Sequence, residues 1–355
     1  MSPLNTLTAK GQSVWFDSIS RDMLEDGTIA RYASELSVTG LTSNPTIFQK
    51  AIAGTEKYDA AIHGGHERGL SAEQIFFELG LEDVVAAADL FRPVYDATGG
   101  GDGFASIEVS PALANDSAQT IHDAKELFAR ADRPNVLIKV PGTEEGCVAI
   151  EELIAAGVPI NVTLLFSPDH YIACAEAYLR GIERRVEAGQ DPLVPSVASL
   201  FVSRWDNHTA SELPEGLANR LGIAVSEQTY RAYREILTSD RWQRLAAAGA
   251  KPQRLLWAST GTKDPALPDT LYVTALAADQ TVNTLPEKTL LAFADHGAVE
   301  GVLGDDASEA DRVVLGAGEA GVDVDAMAIK LQTEGRDLFV ESWNDLLRGI
   351  EAKAR

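Results

Sequence analysis

Residues 133–146 read RPNVLIKVPGTEEG, and one lysine in this stretch constrains the architecture of the whole chain. The segment VLIKV, 136–140, has the continuous apolar character of a strand that is buried on both faces, apart from Lys139. A proline and a glycine follow at once and end the strand. A lysine within a strand ordinarily points to water or lies at a sheet edge, so the setting of Lys139 needs a specific fold.

Seven further segments also have the composition of strands. They are 13–18, 37–43, 103–110, 159–167, 193–201, 254–260 and 270–276. Amphipathic helical segments separate most of them, as in DSAQTIHDAKELFARA at 116–131. Eight strands that alternate with helices over 355 residues predict an α/β fold, a (β/α)8 TIM barrel, rather than a doubly wound sheet. We predict a single domain over residues 1–355, with additional peripheral helices around 203–249 and 323–355.

The alternation of side chains along a strand gives the direction of Lys139. In NVLIKV the even-numbered residues are all branched and apolar, whereas Asn135, Leu137 and Lys139 share the opposite face. In a barrel the apolar face packs against the helices, and the other face points inward. Lys139 is therefore predicted inside the barrel, near the C-terminal mouth where barrel enzymes hold their active sites.

Other polar residues stand at or near the C-terminal ends of otherwise apolar strands. They are Asp17, Asn44, Glu108, Asn161, Thr163, Ser199 and Ser259. Because the C-terminal ends of barrel strands meet at one mouth, these side chains are predicted to form a polar pocket around the amine of Lys139.

A lysine in such a pocket suits one kind of chemistry. The free amine has a pKa of about 10.4, and burial can lower this value by as much as 3–5 units. The neutral amine is a nucleophile toward a carbonyl, and the resulting Schiff base allows an adjacent carbon–carbon bond to break or form without a metal. Asp17 and Glu108 are candidates to move the protons.

Several of these candidates also have a structural explanation. Lys139 could merely pair with Glu108, and Asp17 could cap the helix that follows it. Asn44 precedes a proline and is a good helix N-cap, and Thr163 suits any strand. All of these candidates are predicted on the inward face of the barrel near the C-terminal ends of the strands. This shared location favours a functional site.

Seven motifs resemble those of the transaldolases, the class I, Schiff-base-forming family of the pentose phosphate pathway. They are GLTSNPTIF (40–48), IEVSP (107–111), VLIKVPGTEEG (136–146), INVTLLFS (160–167), SLFVSRWD (199–206), LWASTGTKDP (256–265) and TVNTLPEKTL (281–290). With the strand at 13–18 they span residues 13 to 290 in the order found in the family. The resemblance implies transfer of a dihydroxyacetone unit from sedoheptulose 7-phosphate or fructose 6-phosphate to glyceraldehyde 3-phosphate or erythrose 4-phosphate.

The resemblance also implies roles for individual residues. Lys139 would form the Schiff base, and Asp17 would be the acid and base of the carbon–carbon step. Glu108 and Thr163 would handle a water that serves carbinolamine dehydration. Asn44 and Asn161 would hold substrate hydroxyls.

The donor phosphate would meet cationic residues at the mouth. Arg204 matches an arginine of the family and stands beside Ser199 and Ser259. Many relatives carry another arginine two residues after the serine that aligns with Ser259, but this chain has Gly261 there. Lys263 is our candidate replacement, and the alternative is a solvated loop residue with no role in binding.

Composition restricts the partners. The chain has 53 acidic and 30 basic residues, and the net charge of −23 disfavours nucleic acid and anionic membranes. The first residues resemble no signal peptide, and no run of about 18 apolar residues occurs, so we expect a cytoplasmic protein. His63 and His66 lack the companions of a metal site, so neither metal nor organic cofactor is expected.

Two other functions stay open at this point. A fructose 6-phosphate aldolase would release free dihydroxyacetone instead of transferring it, although such relatives are shorter and generally lack the glutamate at position 108. A barrel that binds sugar phosphates without catalysis would have no use for a buried amine. The sequence allows a monomer or a homodimer.

Overall fold

The structure is a computed structural model that describes residues 2–354, and its centre is a closed barrel of eight parallel strands. The strands are β1 (Gln12–Phe16), β2 (Val38–Leu41), β3 (Ala105–Glu108), β4 (Val136–Pro141), β5 (Ile160–Leu165), β6 (Ser196–Phe201), β7 (Gln253–Ala258) and β8 (Thr281–Leu285). Each strand pairs with the next, and β1 pairs with β8 to close the ring. The prediction of a (β/α)8 barrel is therefore confirmed.

Sixteen α-helices surround the barrel within the described residues. They are α1 (Pro3–Ala9), α2 (Arg21–Glu25), α3 (Thr28–Glu35), α4 (Pro45–Gly54), α5 (Asp59–Glu67), α6 (Ala72–Ala97), α7 (Ser117–Ala131), α8 (Glu144–Ala155), α9 (Pro168–Glu187), α10 (Ser203–Thr209), α11 (Leu221–Thr238), α12 (Asp240–Ala247), α13 (Leu271–Ala275), α14 (Glu287–His296), α15 (Ser308–Glu319) and α16 (Val324–Lys353). None of these helices is long and apolar enough to span a bilayer. That the whole chain is one domain remains our inference.

The prediction for residues 270–276 was wrong. This segment, TLYVTAL, contains helix α13, and the eighth strand is the later TVNTL at 281–285. Local composition favours a strand here, but Tyr272, Val273 and Leu276 are buried at helical spacing. The Tyr272 hydroxyl also donates a hydrogen bond to Asp206 Oδ2 over 2.8 Å. Long-range packing thus overrides the strand propensity of this segment.

The two faces of β4 point where alternation predicts. Val136, Ile138 and Val140 pack in the large apolar core between strands and helices. Leu137 belongs to a second apolar cluster that includes Trp15 of β1. This cluster also contains Val282 of β8, on the opposite side of the ring, so Leu137 points into the barrel. Lys139, two residues after Leu137, therefore also points inward.

The last helix, α16, crosses the C-terminal mouth of the barrel. Near its start Gln332 Nε2 donates hydrogen bonds of 3.0 Å to the carbonyl oxygens of Gly142 and Leu164, which lie at the ends of β4 and β5. Further along, the Ser342 hydroxyl lies 2.8 Å from that of Thr46 on α4. Local sequence patterns do not decide whether this helix covers the mouth, packs on the barrel wall or mediates a dimer. In the structure this helix covers the mouth.

Candidate active site

A cavity of about 320 Å³ opens at the C-terminal mouth of the barrel, and most of the predicted site residues line it. Those in its lining are Asp17, Asn44, Lys139, Thr163, Ser199, Arg204, Ser259 and Lys263. This volume is at the lower end of the range of about 300–1,000 Å³ for small-molecule sites. The remaining two, Glu108 and Asn161, lie below it and contact residues of the lining.

Lys139 is held in the barrel by two partners. Glu108 and Lys139 are paired in register on β3 and β4, and Lys139 Nζ lies 2.9 Å from Glu108 Oε2. The same amine donates a 2.8 Å hydrogen bond to the carbonyl oxygen of Ser43. Both charged residues are only 5% exposed. The ion pair considered from sequence is therefore present, but it lies at a cavity rather than in closed core.

Burial changes the acidity of Glu108. Removal of water raises the pKa of this carboxyl, and the charge of Lys139 and the hydrogen bond from it act in the opposite direction. A carboxyl with a raised pKa can accept a proton from a neighbouring ammonium more readily than an exposed one. The pair therefore contains a donor and an acceptor suited to proton transfer.

Asp17 follows β1 and lies in the cavity wall. Its Oδ1 accepts a 2.8 Å hydrogen bond from the Thr42 hydroxyl, which lies 2.6 Å from the hydroxyl of Thr284. Burial raises the pKa of Asp17, although Thr42 and the charge of Lys139 lower it in part. Ser20, not Asp17, caps the following helix α2, so the capping explanation for Asp17 is wrong.

Asn44 has a structural role and also lines the cavity. Its Oδ1 accepts a 3.0 Å hydrogen bond from the backbone N–H of Ile47, so Asn44 is the N-cap of helix α4. Pro45 occupies the first position of that helix. The cap uses the side-chain oxygen and does not involve the amide nitrogen. Capping and contact with a bound molecule can therefore use different atoms of the same side chain.

Thr163 presents an unpaired hydroxyl to the cavity. This residue of β5 is fully buried, and among residues 2–354 no group forms a hydrogen bond with its Oγ1. A buried hydroxyl without a partner costs free energy, so a bound water or ligand is the expected partner.

Asn161 lies one layer deeper than sequence reasoning assumed. Its Nδ2 donates to the Ser106 hydroxyl over 3.1 Å, and its Oδ1 accepts a 2.8 Å bond from the Ser199 hydroxyl. The side chain is completely buried and outside the lining of the cavity. In this arrangement Asn161 reaches the cavity only through Ser199.

Two cations lie together at the outer part of the cavity. Arg204, at the start of α10, stacks over the ring of Phe201 at 5.2 Å and forms no salt bridge with any residue of the described chain. Lys263 follows β7, and its pKa is lowered by burial and then by the charge of Arg204. The effect of the Arg204 charge on Lys263 indicates that the two cations lie near each other in the cavity lining, where an anion would relieve their repulsion.

Ser259 connects β7 to this cationic region. Its φ of 57° is in the left-handed region, which is costly for a residue other than glycine and is often found at functional sites. Its hydroxyl lies 2.9 Å from that of Ser203, and its carbonyl oxygen accepts a 3.1 Å bond from the Ser203 backbone. The turn thus holds the loop that carries Lys263 against the start of α10.

Several site residues were missed from the sequence. Thr42 and Thr284 lie within quoted motifs, and their polar side chains next to strand ends were a usable signal. Lys50 of α4 and Phe339 of α16 also line the cavity. Phe339 gave no signal, because a phenylalanine in a distant amphipathic helix is normally part of a core.

Among residues 2–354, no group of three or more His, Cys, Asp or Glu side chains is arranged to hold a metal ion.

The fold and the site together define a class of protein: parallel (β/α)8 barrels that hold a buried lysine beside carboxyl groups at the C-terminal mouth, as lysine Schiff-base enzymes do. The family model described as Transaldolase/Fructose-6-phosphate aldolase matches residues 14–350. The chain belongs to this family and is an enzyme.

Relatives of known name agree over nearly the full length. The transaldolase of Frankia alni is 45% identical over 98% of this chain and 96% of its own length. A second from Thermobifida fusca is 45% identical with the same coverage. The more distant transaldolase 2 of a Nostoc species is 40% identical over 97% of this chain and 96% of its own length.

Proposed function

We propose that this enzyme is a transaldolase that moves a dihydroxyacetone unit from a ketose phosphate to an aldose phosphate through a Schiff base on Lys139. The observation that carries the proposal is the buried contact of 2.9 Å between Lys139 Nζ and Glu108 Oε2 beside a cavity that Asp17 also lines. Family membership and full-length similarity to named transaldolases support the same activity.

The first step is formation of the Schiff base. Transfer of the Lys139 proton to Glu108 leaves a neutral amine, which adds to the C2 carbonyl of the ketose. The carbinolamine then loses its hydroxyl as water when Glu108 returns a proton. The unpaired hydroxyl of Thr163 supports a role in holding the water that takes part in this transfer.

The second step breaks the carbon–carbon bond. Asp17 removes the proton of the C4 hydroxyl, the C3–C4 bond breaks, and its electron pair moves into the protonated C2=N bond. The aldose phosphate leaves, and the dihydroxyacetone unit remains on Lys139 as an enamine. When an acceptor aldehyde enters, the enamine carbon attacks it, and Asp17 returns the proton to the new hydroxyl. One water then adds to C2 of the new Schiff base, the bond between C2 and Nζ breaks, and the product ketose phosphate and the free amine are released.

The remaining residues would bind the sugar and its phosphate. Arg204 is the principal phosphate ligand, because its half-buried guanidinium forms no salt bridge within the described chain. Lys263 adds a point charge in place of a second arginine. Ser199, Ser259 and Asn44 are hydroxyl or phosphate contacts. Asn161 would act by orienting Ser199, a change from the direct contact that the resemblance implies.

The proposed substrates follow from this binding scheme. Sedoheptulose 7-phosphate and fructose 6-phosphate are the donors, and glyceraldehyde 3-phosphate and erythrose 4-phosphate are the acceptors. We expect a cytoplasmic enzyme that is a monomer or a homodimer. It should bind neither nucleic acid nor membranes, because its net charge of −23 would be repelled by both.

One assay separates the proposed function from its alternatives. The enzyme is supplied with fructose 6-phosphate, either alone or with erythrose 4-phosphate, and the products are identified by mass. A transaldolase forms sedoheptulose 7-phosphate and glyceraldehyde 3-phosphate only when the acceptor is present. Release of free dihydroxyacetone at equal rates in both mixtures would show an aldolase instead, and absence of any product would show a binding protein.

A further inference from the structure

We infer that Phe339 of helix α16 shields the enamine on Lys139 from bulk water and thereby favours transfer over hydrolysis. The inference rests on the proposed function, because it concerns the fate of the intermediate that Lys139 would carry. It assigns to the C-terminal helix a part in reaction specificity.

Phe339 lies close to the amine of Lys139. The centre of its ring lies 5.7 Å from Lys139 Nζ, and the residue lines the cavity while being only 6% exposed. The ring also packs against that of Phe201, at 6.5 Å between centroids. An apolar ring therefore stands over the amine on the side from which α16 covers the mouth.

Packing on both sides of Phe339 in the sequence holds helix α16 close enough to the barrel for the ring to reach Lys139. One turn before Phe339, Gly335 allows close approach: a Cβ there would lie 3.0 Å from both Arg204 Nη1 and Leu164 Cδ2. Beyond Phe339, the Trp343 ring packs against that of Phe76 at 4.9 Å. Gly335, Phe339 and Trp343 are four residues apart and share one face of the helix. This face therefore has packing contacts one turn before Phe339 and one turn after it.

The chemistry explains why shielding matters. After the first aldehyde leaves, the enamine has two fates. An acceptor can form a new bond to carbon, or that carbon can take up a proton, after which water adds to C2 and the bond between C2 and Nζ breaks. The second route consumes one water and returns dihydroxyacetone and the free amine.

The site must hold one water for dehydration and keep others out. The buried hydroxyl of Thr163 is suited to bind that single water inside the cavity. Phe339 occupies space on the open side that further water would fill. Removal of the ring is therefore expected to increase hydrolysis specifically, without loss of the groups that form and cleave bonds.

The test compares Phe339→Ala with Leu338→Ala, since Leu338 is the preceding residue of α16 and is 50% exposed. Fructose 6-phosphate and erythrose 4-phosphate are supplied together, and the ratio of free dihydroxyacetone to transferred product is measured. We expect the ratio to rise about tenfold in Phe339→Ala, which corresponds to about 1.4 kcal/mol between the two barriers. It should stay unchanged in Leu338→Ala and rise only slightly in Phe339→Leu.

Trapping with borohydride distinguishes failure of this inference from failure of the proposed function. An adduct on Lys139 in all variants, with no change in the product ratio of Phe339→Ala, would overturn the shielding role alone. Absence of an adduct in the unaltered enzyme would overturn the proposed function. If Phe339→Ala does not fold, Phe339→Leu carries the test, and a ratio equal to that of the unaltered enzyme would contradict the inference.

Discussion

Lys139 Nζ lies 2.9 Å from Glu108 Oε2 in a site where both residues are 5% exposed, and this contact links the fold to the chemistry. Neighbouring strands β3 and β4 hold the two residues in register. A buried ion pair of this kind is weak evidence for stability, because desolvation offsets much of the attraction. We expect the pair to matter for catalysis, because a proton can move between the amine and the carboxyl group.

Replacement of Glu108 by Gln should slow formation of the Schiff base. Glutamine has the same shape and can accept a hydrogen bond from Lys139, but it cannot take up its proton. General acid–base catalysis typically contributes a factor of about 10²–10⁴, so kcat should fall by that order. The rate of adduct accumulation under borohydride measures the step. The exposed Glu341→Gln is the matched control, and an unchanged rate in Glu108→Gln would remove Glu108 from the mechanism.

Replacement of Asp17 by Asn should stop the reaction one step later. The amine is intact, so the Schiff base forms, but no group removes the proton of the C4 hydroxyl. Cleavage is expected to slow by about 10²–10⁴. With fructose 6-phosphate and borohydride, the trapped peptide should carry the uncleaved hexose phosphate instead of the three-carbon unit. A three-carbon adduct formed at the normal rate would exclude Asp17 from the cleavage step.

The same variant tests the effect of burial on Asp17. Burial raises its pKa in the folded chain above the value of about 3.9 for an unfolded chain. The folded state therefore binds this proton more tightly, and the resulting stabilisation is complete below pH of about 4 and is lost as the pH rises through the folded pKa.

Asp17→Asn cannot titrate at this position, so it should gain stability relative to the unaltered enzyme as the pH rises from about 4 toward neutrality. Urea denaturation of both proteins at the two ends of this pH range measures the difference in the free energy of unfolding. A difference that is independent of pH, or that changes in the opposite direction, would contradict the raised pKa.

Arg204 and Lys263 should contribute unequally to phosphate binding. Arg204 is partly buried, and loss of a hydrogen bond to a charged group costs about 1.5–3 kcal/mol, so Arg204→Ala should raise the KM for fructose 6-phosphate by roughly 10-fold to 100-fold. Lys263 is more exposed, and Lys263→Ala should raise the same KM only about twofold to fivefold. Arg312→Ala, at an exposed position outside the cavity, is the control. Equal losses with unphosphorylated dihydroxyacetone would contradict a phosphate role for either residue.

The barrel and the direction of Lys139 could be predicted from the sequence because both follow from simple periodicity. Side chains alternate strictly along a strand, so the apolar face at 136, 138 and 140 left only the interior for Lys139. Alternation of strands and helices then required that all strand ends meet at one mouth.

Contacts between distant segments could not be predicted in this way. The segment 270–276 has strand composition, but its helix depends on packing and on the bond from Tyr272 to Asp206, which is 66 residues away. Thr284 of β8 joins the network of Asp17 only because β8 closes the ring beside β1. Phe339 reaches Lys139 from 200 residues further along the chain, and no local pattern indicates such a contact.

The depth of a side chain within the barrel could not be predicted from the sequence either. Asn161 is in register with Lys139, yet its amide is occupied by Ser106 and Ser199 and lies below the cavity. Alternation gives the face of a strand but not the layer at which the cavity begins.

Trapping of the covalent intermediate tests the role of Lys139. The enzyme is incubated with fructose 6-phosphate and sodium borohydride, digested, and mapped by mass spectrometry, with Lys139→Ala as the control. We predict a stable adduct of the three-carbon unit on the peptide that contains Lys139, and no adduct in Lys139→Ala. Normal turnover with no gain of mass at Lys139, or an adduct on another lysine, would contradict the proposed mechanism.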